Sequence, residues 1–205
     1  MMRIQPKTRK EAWDIVLDIL NQGDSRYNNT ANEVILADFL VLNAISLEEK
    51  EIPFMEEPKL ENENKFSLRV QREEKLLVRE MLKSEGFQDK EILFEQLFSN
   101  GRADVLAESP KKTIAVECCS CRIDKIINYL EDGADEVWVT TIGLPPWEKI
   151  KYLKENMGLF VFKKGPNWDK VFNRYKNIIA EEMKKVKSPI DILMEEKEKN
   201  KSPLD

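Results

Sequence analysis

Apolar residues recur along the chain with two spacings, near helical and strictly alternating, and the changes between them mark out the elements. Over residues 8–21, Ala12, Ile15, Val16, Ile19 and Leu20 keep helical spacing, and Gly23 follows as a stop signal. Residues 25–31 are polar and turn-like. Val34, Ile35, Ala37, Leu40, Val41 and Ala44 then predict a more continuously apolar second helix over 32–47, with Asp38 on its wet side. Residues 48–65 are acidic, contain Pro53 and Pro58 and lose periodicity, so they read as a connector and as the best domain boundary. Leu68, Leu76, Leu77, Met81 and Leu82 predict a third helix over 66–85, closing at Gly86.

Beyond Gly86 the period falls to two. Residues 91–98 have strand character, and Ser99-Asn100-Gly101 is a hairpin signal. Residues 102–108 and 113–119 alternate as half-buried strands around the turn residues Ser109-Pro110-Lys111-Lys112. A turn centred between Pro110 and Lys111 sets Asp104 opposite Glu117 and Arg102 opposite Cys119. One face then carries Ala103, Val105, Ala107, Ile114, Val116 and Cys118; the other carries Arg102, Asp104, Glu117 and Cys119. Pairing Ser99 with Arg102 adds Glu95 to the face of Asp104. A helix over 122–130 capped by Gly133, followed by a buried strand over 136–142, predicts a parallel crossover. Pro145 and Pro146 open a helix over 147–156, residues 159–163 form a strand, and 166–187 form the last long helix. The expected organisation is an N-terminal helical extension and linker (1–64), an α/β core (65–187) and a charged tail (188–205) that frays.

Composition narrows the chemistry. A chain 41% hydrophobic and 35% charged describes a globular protein with an ionic surface. A formal net charge of −5 argues against a generally basic nucleic-acid coat. It leaves room for a local patch of Lys163, Lys164, Lys170, Arg174, Lys176, Lys184 and Lys185 with Trp168 and Tyr175 among them. That patch reads equally as a phosphate-tracking surface or as a solvated helix face. No apolar run reaches membrane-spanning length and the N-terminus has no signal core, so a cytoplasmic protein is expected.

Cys118, Cys119 and Cys121 lie together with no second group to complete a disulfide framework, which fits a reducing compartment. The chain has no histidine, and this removes Ser-His and Cys-His nucleophiles and histidine-metal hydrolases. Zinc would need carboxylates to complete a set begun by crowded thiols, and Cys118 reads better as a small buried hydrophobe.

Carboxylates directly across an antiparallel pair sit roughly 5 Å apart and repel. A divalent cation, Mg²⁺ or Mn²⁺, would compensate them; so would Arg102, with Lys111 or Lys112 near the turn.

The order helix, three antiparallel strands, helix, strand, with Asp on the second strand and Glu on the third, resembles the PD-(D/E)XK nuclease-like superfamily. The likeness covers residues 66–162 and is closest to archaeal and archaeal-virus members and the Holliday-junction resolvases. It rests on Gly101-Arg102-Ala103-Asp104-Val105, on Ile114-Ala115-Val116-Glu117, and on the preceding helix with Glu73 and Glu74. The resemblance implies a restriction-endonuclease-like core that cleaves phosphodiester bonds, with Asp104 and Glu117 binding Mg²⁺ and Glu74 or Glu73 assisting; Glu95 is a third candidate carboxylate. In that family a lysine stands two positions after the strand Glu, where this chain has Cys119. Lys125 on the following helix and Arg102 across the hairpin are the candidate substitutes. The expected function is a metal-dependent DNA endonuclease acting on branched or structured DNA, with DNA and a second copy of the chain, as a homodimer, for partners. The alternative is a catalytically degenerate DNA-binding or assembly protein on the same fold.

Overall fold

The alternating segments come together as one seven-stranded mixed sheet in a computed structural model that describes residues 2–20, 30–52, 66–118, 121–142 and 157–185. In chain order the elements are β1 (Met2–Ile4), α1 (Arg9–Leu20), α2 (Thr30–Val41), β2 (Ile45–Lys50), α3 (Phe66–Ser84), β3 (Ile92–Phe98), β4 (Gly101–Glu108), β5 (Thr113–Glu117), α4 (Ile123–Glu131), β6 (Glu136–Ile142), β7 (Met157–Lys164) and α5 (Trp168–Lys185). The strands lie in the order β1-β2-β7-β6-β5-β4-β3. Only β5 and β6 run parallel, joined through α4 as a crossover requires. The expected helix over 147–156, the tail over 188–205 and Cys119 lie outside the described residues.

Helices cover both faces, so the central strands are buried almost continuously and successive side chains fall into clusters on opposite sides of the sheet. Ala115 of β5, Val137 and Val139 of β6 and Phe162 of β7 join one apolar cluster with α1, α2, α4 and α5. Their neighbours Ile114, Val116, Trp138, Leu159 and Val161 join a second cluster, with Leu77, Val78, Met81 and Leu82 of α3. Burying Trp138 and Phe162 completely contributes roughly 1.5–3 kcal/mol each.

Residues 2–20 and 30–50 do not stand apart from the sheet as the expected N-terminal extension. They are part of the same core: β1 and β2 extend the sheet beyond β7, and α1 and α2 share the cluster that holds α4 and α5. The apolar run read as a helix over 32–47 breaks after Val41. Asn43 takes a left-handed conformation (φ 56°), which asparagine tolerates, and Ala44 N–H returns to Phe39 C=O at 2.8 Å. The chain then re-enters the sheet, with Leu47 opposite Phe162. Gly165 at the end of β7 fits against this corner, where a Cβ would collide with the Asn43 carbonyl oxygen. Asp38 is half-buried: it pairs with Arg9 at 2.8 Å and accepts from Tyr175 Oη at 2.7 Å, tying α1, α2 and α5 together.

Candidate active site

The site grows from the β4–β5 hairpin. Ser109 closes its turn, donating its N–H to Lys112 C=O (3.0 Å) while its Oγ accepts from Lys112 N–H (3.2 Å). This fixes the ladder as Val105↔Val116, Leu106↔Ala115, Ala107↔Ile114 and Glu108↔Thr113. Continued by one pair, that register brings Asp104 level with Glu117, as the turn residues predict.

On the other side of β4 the hairpin turns one residue earlier than expected. Phe98 pairs with Gly101, so Ser99 and Asn100 form the turn and Ser99 does not pair with Arg102. Gln96↔Ala103 and Phe94↔Val105 bracket Glu95 and Asp104, which are therefore level. Glu95 interrupts the strand in a left-handed conformation (φ 53°), which costs about 1–3 kcal/mol in a residue with a Cβ. Its carboxylate turns to Lys75 of α3 and to Arg102 (Nε to Oε2, 2.9 Å).

Two lysines from opposite layers hold the two central acids. Asp104 Oδ1 faces Lys75 Nζ at 3.0 Å and Oδ2 accepts from Cys118 N–H at 2.8 Å. Burial works against the Lys75 charge, but hydrogen bonds to Glu95 and Asp104 outweigh it and raise its pKa. Glu117 Oε2 accepts from Lys125 Nζ at 2.6 Å, and Oε1 from Tyr129 Oη at 2.9 Å. Lys125 and Tyr129 lie one turn apart on α4, so one helix face grips both oxygens. Lys125 Nζ also donates to Arg102 C=O at 3.1 Å. Gly101 makes this approach feasible, since a Cβ there would meet Tyr129 Oη at 3.3 Å and Lys125 Cε at 3.4 Å.

Burial raises the Glu117 pKa to about 7 against the opposing attraction of Lys125, with repulsion from Asp104 adding to the rise. The two acids therefore sense one another. Burial and Glu117 also raise the Tyr129 phenol far above its usual range, so Tyr129 stays a donor. Beneath Glu117, the buried Glu74 accepts from Thr140 Oγ1, whose single hydrogen has Glu117 C=O as a second, longer acceptor at 3.4 Å. Glu73 is buried as well.

Several expectations change here. Arg102 is exposed and spends its guanidinium on Glu95, so of the two expected substitutes it is Lys125 whose charged group reaches the acids, alongside Lys75. Among the described residues no three His, Cys, Asp or Glu side chains group as a metal nest, so Asp104, Glu117 and Glu95 do not converge as one ligand set. Among the described residues, Asp104 and Glu117 are the hard-oxygen candidates that the β4–β5 register sets level. Their chemistry suits a divalent cation: Glu117 is short of positive charge, and each lysine has a second acceptor, Glu95 for Lys75 and Arg102 C=O for Lys125.

Cys118 and Cys121 belong to different apolar clusters, and burial keeps the Cys121 thiol protonated. Trp168 and Tyr175 also leave the surface patch. Trp168 is buried, stacks on Phe172 (5.4 Å) and donates Nε1–H to Glu131 at 2.9 Å. Tyr175 is held by Asp38, and Lys163 pairs with Glu136 at 3.0 Å.

Sequence reasoning missed Lys75, Tyr129 and Thr140. Helical spacing from Lys125 could have found Tyr129. Lys75 and Thr140 carry no local signal, because tertiary packing alone brings α3 and β6 to the hairpin. A scan against family models, a search of curated proteins and a search of solved structures each return no match to this chain.

Proposed function

We propose that the chain is a metal-dependent DNA endonuclease on a restriction-endonuclease-like core, built from α3, β3, β4, β5, α4 and β6 in that order. The observation that carries the reading is Lys125 Nζ 2.6 Å from Glu117, beside an Asp104 that the hairpin register sets level with Glu117. Two acids and a lysine at one end of a sheet are the parts that phosphodiester hydrolysis needs, and the lysine stands in for the ammonium absent at Cys119.

Asp104 and Glu117 would hold Mg²⁺ or Mn²⁺, which when bound acidifies water and stabilises charge on the leaving oxygen. Lys125 keeps a positive charge next to the acids and offsets the charge that a phosphate brings. Tyr129 fixes Glu117 Oε1, and Thr140 ties the Glu117 main chain to Glu74. Full-length protein incubated with linear, nicked and branched DNA in Mg²⁺ or Mn²⁺ should cut at least one substrate, and Asp104→Ala should not. Wild-type protein as inert as Asp104→Ala on every substrate overturns the proposal.

One observation favours a second reading, a nuclease-like DNA-binding module without catalysis. Both oxygens of Asp104 and both of Glu117 already have donors, drawn from opposite layers of the fold. This reading expects salt-sensitive DNA retention with no cleavage in any divalent cation.

A further inference from the structure

Lys75 is the least expected member of the cluster. It projects from α3, its side chain only 15% exposed, and its Nζ bridges Asp104 Oδ1 (3.0 Å) and Glu95 Oε1. Glu95 reaches it from a strand residue in a left-handed conformation, so β3 departs from regular geometry at the residue that meets this ammonium. Arg102 holds the other oxygen of Glu95 at 2.9 Å, which keeps the acceptor in place whether or not Lys75 stays on Asp104.

We propose that Lys75 is a built-in competitor for the divalent cation: its ammonium occupies the cation's place on Asp104 in the free protein and retreats to Glu95 when the cation binds. The inference rests on the divalent-cation reading of Asp104 and Glu117. It adds that Lys75 sets how tightly that cation is held. Glu95 acts as the lysine's second berth and stays out of the metal's ligand shell. An ammonium and a hard divalent cation seek the same carboxylate oxygen, and the stronger positive charge wins only once it has displaced the weaker. Lys125 differs from Lys75. Its second acceptor is a neutral carbonyl, so it loses an ion pair if it leaves Glu117, whereas Lys75 keeps one on Glu95.

The test is Mn²⁺ uptake by calorimetry on the full chain, comparing wild type with Lys75→Met and Lys75→Arg, each checked for folding by circular dichroism. Lys75→Met should bind Mn²⁺ about tenfold tighter or more, the scale on which one neighbouring charge moves a carboxylate's affinity for a proton. Lys75→Arg, which retains the charge, should stay near wild type. Equal affinity for wild type and Lys75→Met overturns the competitor role while leaving the divalent-cation reading intact. No uptake by either folded protein overturns both. Should Lys75→Met fail to fold, the ¹⁵N resonance of the Lys75 ammonium in wild-type protein decides. A shift that saturates with Mg²⁺ uptake supports displacement, and an unmoved signal at saturation contradicts it.

Discussion

Glu117 and Glu136 are both buried acids, on adjacent parallel strands, and lie at opposite ends of them: Glu136 is level with Ile114 and Glu117 with Val139. Glu136 accepts from Lys112 (2.9 Å), Lys163 (3.0 Å) and Trp138 Nε1 (2.8 Å). Burial pushes its pKa up, yet these donors outweigh burial and the net shift is downward. Glu117 has one lysine and one phenol, Asp104 lies nearby, and burial prevails. Glu136 is an anchor whose charge is fully answered. Glu117 is left short of positive charge, and a buried acid in that condition is where a cation or a reacting group is expected.

The largest effect should come from removing the under-compensated acid. Glu117→Gln should lower Mn²⁺-dependent DNA cleavage on the order of 10³-fold, since the cation's stabilisation of transition-state charge is worth several kcal/mol. Single-turnover assays at saturating Mn²⁺ measure it. Glu136→Gln, at the opposite end of the strands, should leave the same rate unchanged within error if the fold holds.

Stability should respond in the opposite sense. Glu136→Ala takes the carboxylate from Lys112, leaves Lys163 with Glu48 alone and strands a buried indole N–H, and should cost roughly 2–3 kcal/mol in urea melts. Glu117→Gln without metal should cost less than Glu136→Ala, because it also removes a charge that burial opposes. An equal loss for both variants would erase the distinction between the two acids.

The pH dependences should oppose one another too. The Glu117 pKa rises from 4.5 to about 7 in the fold, so between those values the native state binds more protons than the unfolded chain. Its contribution to stability therefore falls as pH rises through that window, and Glu117→Gln should flatten the decline. The Glu136 pKa is depressed below 4.5, so its contribution is present above that value and is lost as pH falls through the lower folded value. Chemical melts of wild type, Glu117→Gln and Glu136→Gln across both windows separate the two slopes. The smallest effect is Tyr129→Phe, which removes one donor from Glu117 and should cost about 1 kcal/mol.

The parts of the fold legible in sequence are those whose signal is local. The β4–β5 register follows from alternation and the Ser109 turn, and α4 and β6 from a clean change of period around Gly133. β2 was hidden because the apolar run from Val34 to Val41, broken only by Asp38, has no clear helical face, so Ile45 and Leu47 read as its continuation. β1 is only three residues long. At the candidate site, Asp104, Glu117 and Lys125 stand out as charges in or beside apolar alternation. Lys75 does not, since a lysine on an amphipathic helix ordinarily faces water and only the packing of α3 on β3 and β4 brings it to Asp104. Glu136 opens its strand at a place where charges are common, and its burial depends on Lys112 and Lys163 from two other segments.

The most direct test of the shared-cation claim is anomalous diffraction from crystals of the full chain soaked in Mn²⁺. The account predicts a manganese peak bonded to both Asp104 and Glu117, with Lys75 withdrawn to Glu95. A fully soaked crystal with no peak there, and with Lys75 and Lys125 still on their acids, would contradict it.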